Sequence, residues 1–121
     1  MLDLTRAFNG FSVDDIEAAK AFYGDTLGIP LTEEHGMLRL HLGSRDVLVY
    51  PKGERHVPAE YTMLNFPVDD IEAAVAELKQ AGIAFARYDG VDDNGVFRLG
   101  GPPIAWFKDP AGNVLSVLQE D

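Results

Sequence analysis

Two hydrophobic periodicities succeed each other along this chain, and the switch between them happens twice. Phe11 and Val13 alternate with small or polar neighbours, as in a half-buried strand. From Ile16 the apolar positions change to helical spacing, with Ile16, Ala19, Phe22, Tyr23 and Leu27 forming one stripe. The same order returns at Phe66 and Val68, followed by Ile71, Ala74, Val75, Leu78 and Ala81. Residues 11–21 and 66–76 agree at nine of eleven positions at an offset of 55. Each copy offers an aspartate, Asp14 or Asp69, as a helix N-cap, with Glu17 or Glu72 three residues later. Gly28 and Gly82 sit where each helix would stop.

Strand-like runs follow both helices. In the first half they are 29–34, 37–42 and 46–50, the last two joined by Gly43-Ser44-Arg45. The second half offers 83–88, 104–108 and 113–119, with Asp109-Pro110-Ala111-Gly112 as a tight reversal. Both halves therefore predict strand, helix and three strands. The fold class is α+β, two βαβββ modules in tandem within a single domain over 1–121. Module 1 is about 1–52, the linker about 51–61 and module 2 about 60–121. The longest irregular stretch is 89–103; aligning Gly95 of its Gly90 to Gly95 run on the turn glycine of an EF-hand loop puts Gly90 and Gly101 at the first and last ligand positions, so a calcium site is rejected.

Composition narrows the functional classes. Ten basic and twenty acidic residues give a net charge of -10, which repels nucleic acid and anionic lipid and admits a cationic ligand. The absence of cysteine removes disulfides, thiolate metal sites and a cysteine nucleophile. No basic leader or bilayer-length apolar run is present, so no membrane partner and a cytoplasmic location are expected. Phosphate-loop, dinucleotide, serine-elbow and His-Glu-x-x-His motifs are all missing. The Asp14-Asp15 and Asp69-Asp70 pairs read as helix caps rather than acid/base couples.

The entry Val-Asp-Asp-Ile-Glu-Ala-Ala-Lys-Ala-Phe-Tyr at 13–23, the Leu27-Gly28-Ile29 exit and the closing Phe-Lys-Asp-Pro-Ala-Gly-Asn-Val-Leu at 107–115 carry a resemblance. The chain resembles the glyoxalase, bleomycin resistance protein and dioxygenase superfamily, also called vicinal oxygen chelate. That resemblance implies mixed, curved sheets forming a cup, with one helix per module on the outer face, and a homodimer. It also implies where metal-dependent members place His, Gln or Glu ligands: on the first and last strand of each module. Here those positions fall on Phe8, on Met63, on Ser116 and on one of Leu48, Val49 and Tyr50. Such a set lacks the imidazoles and carboxylates that divalent ions need, so no metal and no cofactor are expected.

Strand alternation names the residues expected to face the cup. Phe8, Gly10 and Ser12 are the candidates from module 1, Met63 and Asn65 from module 2, and Ser116 from the last strand. Arg39 and His41 alternate with Leu38, Leu40 and Leu42 and face away from the helix; Tyr50 is the oxygen-bearing member of its run. Trp106, the sole tryptophan, faces either the cup or the second helix. The functional expectation is a small-molecule binding protein of the bleomycin-resistance type, holding an apolar, aromatic or cationic ligand. The alternative is a superfamily enzyme, lyase or oxidoreductase, with a metal displaced to His41 and nearby acids or with metal-free acid/base chemistry.

Overall fold

A computed structural model describes residues 1–120, which form two compact units, one over Met1–Pro58 and one from Ala59 onward. The first unit contains β1 (Asn9–Val13), α1 (Ile16–Lys20), β2 (Leu31–Glu34), β3 (Met37–Leu42) and β4 (Arg45–Pro51). Its sheet runs β1-β4-β3-β2, with β1 parallel to β4 and the other neighbours antiparallel. The second unit contains β5 (Thr62–Val68), α2 (Ile71–Gln80), β6 (Val96–Phe97), β7 (Ile104–Lys108) and β8 (Val114–Gln119). Its sheet repeats the order as β5-β8-β7-β6, again with one parallel pair. The paired βαβββ architecture predicted from the repeat is therefore the architecture found.

Each core is built from alternate strand positions beneath one helix. In the first unit Val13, Leu38, Leu40 and Val49 are fully buried, with Ala19 and Tyr23 from the helical segment. In the second, Ala105, Phe107, Leu115 and Val117 are buried with Ile71 and Val75 of α2. A fully buried aliphatic side chain of this size stabilises the fold by about 1.5–3 kcal/mol relative to exposure. The polar residues between them stay on the opposite face, and that face carries the candidate site.

The helices begin one residue later than the sequence pattern suggests. Asp15, in extended conformation, accepts from the backbone N–H groups of Glu17 and Ala18, and Asp70 accepts from that of Ala73. Asp14 and Asp69 are thus left at the strand ends, and the capping-box partner role does not arise. Glu72 instead pairs with Arg98. After Lys20, residues Ala21–Thr26 widen into a π-helical turn, in which Leu27 N–H donates to Phe22 C=O at 2.9 Å. Phe22 and Tyr23 pack edge to face there, with centroids 5.1 Å apart.

A second correction concerns the expected strand over 83–88. Only Phe85 forms a bridge, to Phe107, and Ala86 N–H donates to Trp106 C=O at 2.8 Å. The rest of the β7 edge is taken by β6, which lies inside the stretch expected to be irregular. Asp92 closes the preceding loop by accepting from the N–H groups of Val96 and Asn94, and these bonds, led by Val96, hold its carboxyl below the ordinary carboxylate range. Gly95 is buried at φ +93°, and a Cβ there would sit 2.9 Å from Phe85 Cβ. Gly95→Ala is expected to destabilise the chain by about 2 kcal/mol, from the left-handed backbone and the clash together. An unchanged urea midpoint would show that this loop is not tightly packed.

Candidate functional site

The face of the first sheet opposite α1 is set by register. Gly10 pairs with Leu48 and Ser12 with Tyr50, while Arg39 is opposite Leu48 and His41 opposite Asp46. Cross-strand partners share a face, so Gly10, Ser12, Arg39, His41, Asp46, Leu48 and Tyr50 lie together. A side chain at residue 10 would meet Leu48 O at 3.0 Å, so glycine permits the close approach of β1 to β4. Phe8 joins the group through Arg39, whose guanidinium carbon lies 5.5 Å from the ring centroid.

Polar groups on this face are interlinked. His41 Nδ1 is 3.0 Å from Asp46 Oδ1 and its Nε2 is 3.2 Å from Thr32 Oγ1, while Arg39 reaches Asp46 Oδ2 at 3.7 Å. Ser12 Oγ and His56 Nδ1 hydrogen-bond at 2.7 Å. Linker position 56 gave no hint of this contact in the sequence, because the chain must turn through Gly53–Arg55 to bring the imidazole back over β1.

In the second sheet Trp106 pairs with Ser116, and Ser116 with Asn65. Ser116 Oγ donates to Asn65 Oδ1 at 2.6 Å, and Trp106 Nε1–H donates to Thr62 Oγ1 at 3.2 Å. Tyr88 and Phe97 meet the indole at centroid distances of 5.5 and 5.9 Å. Of the two orientations open to Trp106, the register selects the face away from the buried Leu115 and Phe107. Met63 behaves differently from expectation. The ladder shifts between Thr62 and Leu64, which leaves Met63 as the extra residue of a bulge and brings Thr62 into register with Val114. Strict alternation could not reveal this, and Thr62, Tyr88 and Phe97 were missed with it.

The register also selects among Leu48, Val49 and Tyr50. Gly10 and Asn65 are equivalent at the offset of 55, and they pair with Leu48 and Ser116 respectively. The equivalent of Ser116 is therefore Leu48. The positions that the family resemblance implies for ligands thus hold Phe8 and Leu48 in one module, and Ser116 with Thr62 or Met63 in the other. None offers imidazole or carboxylate, and the two hydroxyls already hydrogen-bond within the second sheet, so these residues do not fit a divalent ion. Among the described residues no three His, Cys, Asp or Glu side chains are grouped so as to hold a metal ion. No helix among them is long and apolar enough to cross a membrane.

A model of the Glyoxalase/Bleomycin resistance protein/Dioxygenase superfamily matches residues 7–117. Solved structures with the same fold include a glyoxalase family protein from Enterococcus faecalis, 25% identical with a TM-score of 0.66, the match covering 96% of both chains. An antibiotic binding protein from a Streptomyces species is 26% identical with a TM-score of 0.68, the match covering 95% of this chain and 96% of that one. A lactoylglutathione lyase from Agrobacterium tumefaciens shares the fold at 22% identity and a TM-score of 0.64, covering 93% of this chain and 92% of that one. No curated protein matches the sequence.

Proposed function

Because the chain belongs to the glyoxalase/bleomycin resistance protein/dioxygenase superfamily, we propose that it is a small-molecule binding protein that holds an apolar or aromatic compound on the sheet faces opposite its helices. What supports this reading is the donor set: the positions that the family resemblance implies for metal ligands hold Phe8, Leu48, Thr62 or Met63, and Ser116, none of them an imidazole or carboxylate. Without a Lewis acid there, the faces offer stacking and hydrogen bonding. Trp106 with Tyr88 and Phe97 supplies aromatic surface, while Asn65, Ser116 and Ser12 supply polar handles. The likeness to an antibiotic binding protein supports the same reading. Homodimerisation belongs to the proposal, and light scattering giving the mass of one chain would remove that part.

Titration of the purified chain with a panel of aromatic and cationic metabolites and antibiotics, followed by Trp106 fluorescence and calorimetry, tests it. Saturable binding of at least one class is expected. Silence across the panel in both readouts counts against the binder.

One observation favours the alternative of an acid/base enzyme, the chain Thr32–His41–Asp46, in which a carboxylate orients an imidazole beside a hydroxyl. If that reading holds, turnover of a superfamily substrate disappears in His41→Ala, whereas the binder reading predicts no turnover to lose.

A further inference from the structure

The basic residues of this acidic chain are unevenly placed. Of its ten lysines and arginines, three arginines, Arg6, Arg39 and Arg45, line a single hollow of about 270 Å³ in the first unit. The hollow lies between the N-terminal segment Thr5–Phe8 and the turn from Gly43 to Asp46 at the start of β4, with Arg39 reaching in from β3. Its lining holds one carboxylate, that of Asp46, which is also engaged by His41 at 3.0 Å and stands 3.7 Å from Arg39. Arg6 and Arg45 make no ion pair among the described residues. Asp3, whose Oδ1 accepts from Thr5 N–H and Oγ, is the nearest acid in sequence to Arg6 and is turned to that threonine.

Like charges brought into one concavity repel each other unless an anion completes the set, and a chain with twice as many acids as bases could have neutralised them cheaply with its own carboxylates. We propose that this hollow is a binding site for the anionic group, carboxylate or phosphate, of a small aromatic or apolar molecule. The planar guanidinium fork matches the paired oxygens that carboxylate and phosphate both present and holds them through paired charge-assisted hydrogen bonds. The hydroxyl of Ser44 adds a neutral donor at the rim. Phe8 supplies the apolar wall: the residue is 54% exposed, and its ring centroid lies 5.5 Å from the Arg39 guanidinium carbon, leaving apolar surface for the remainder of the ligand. The volume is just below that of drug-sized ligand clefts, which suits one ring with its acid group or the charged end of a larger compound. The inference goes beyond the aromatic face around Trp106 and does not depend on it.

Nitrogen-15-labelled full chain titrated with benzoate and phenyl phosphate, against benzyl alcohol and benzyltrimethylammonium, tests the site. The anions are expected to move the arginine Nε–H signals and the backbone signals of 43–46, and the two arms decide between carboxylate and phosphate. Arg45→Ala and Arg6→Ala are each expected to raise Kd about tenfold, the effect of losing one charge-assisted contact, and Arg45→Lys to fall between. Both side chains are exposed, so the variants keep the wild-type circular dichroism and melting point. The proposal is overturned if neither anion perturbs these signals, if the neutral or cationic ring perturbs them equally, or if both arginine variants bind like the parent. Loss of Trp106 fluorescence response to aromatic compounds, with the arginine signals still responding to anions, would sink only the aromatic-face reading.

Discussion

Asp109→Ala is expected to lower the stability of the chain by about 3–5 kcal/mol, because it strips the acceptors from a buried turn. Asp109 is 5% exposed and Asn113 2%. Oδ1 of Asp109 accepts the backbone N–H groups of Ala111 and Asn113, both at 2.9 Å, and its Oδ2 accepts Asn113 Nδ2–H at 3.0 Å. Asn113 Oδ1 in turn accepts Ala59 N–H at 2.9 Å, which ties the start of the second unit to the same turn. Alanine removes both carboxylate acceptors from this buried turn, and the turn feeds β8, which is flanked by β5 and β7. Asp109→Asn keeps one carbonyl acceptor but turns an amide towards the Asn113 amide, so it falls between parent and alanine. Urea denaturation measures the series; a loss below about 1 kcal/mol for alanine would mean that water replaces the lost acceptor at little cost.

The second large effect is on affinity. Trp106→Ala is expected to weaken an aromatic ligand of the second sheet by more than about tenfold, the contribution of one stacking surface. The change removes the indole that Tyr88 and Phe97 flank and the N–H bonded to Thr62. Trp106→Phe retains a six-membered ring but loses the five-membered ring and its donor to Thr62, so calorimetry should place it between parent and alanine. Equal affinity in parent, phenylalanine and alanine forms would move the ligand away from this sheet.

How much of this was legible in the residues depends on the kind of signal. The repeat at an offset of 55 specified both modules, because helix and strand periods are written in the spacing of Phe11, Val13, Ile16, Ala19 and their copies. The face of the first sheet carrying Gly10, Ser12, Arg39 and His41, and that of the second carrying Asn65 and Ser116, were legible for the same reason. The cap was misplaced by one residue because adjacent aspartates carry the same chemistry, and only backbone conformation distinguishes Asp14 from Asp15. The strand expected over 83–88 has the right alternation at Ile83 and Phe85, yet β6 occupies much of the edge it would need.

Long-range geometry was the least visible. A bulge at Met63 leaves no mark in residue type, and it is this bulge that puts Thr62 beside Trp106. The assignment of Leu48 required the register of β4 against β1, a parallel pair that no tight turn joins, so nothing local in the residues fixes it. Arg6 and Arg45 are 39 positions apart, and neither sits in a periodic pattern, so their shared hollow follows only from the fold.

Metal analysis of the purified chain, paired with calorimetry of a bound aromatic compound before and after a strong chelator, probes the absence of usable donors most directly. Divalent metal far below one ion per chain, with affinity unchanged by the chelator, is the predicted result. One tightly held ion per chain, whose removal abolishes binding or turnover, would contradict the account.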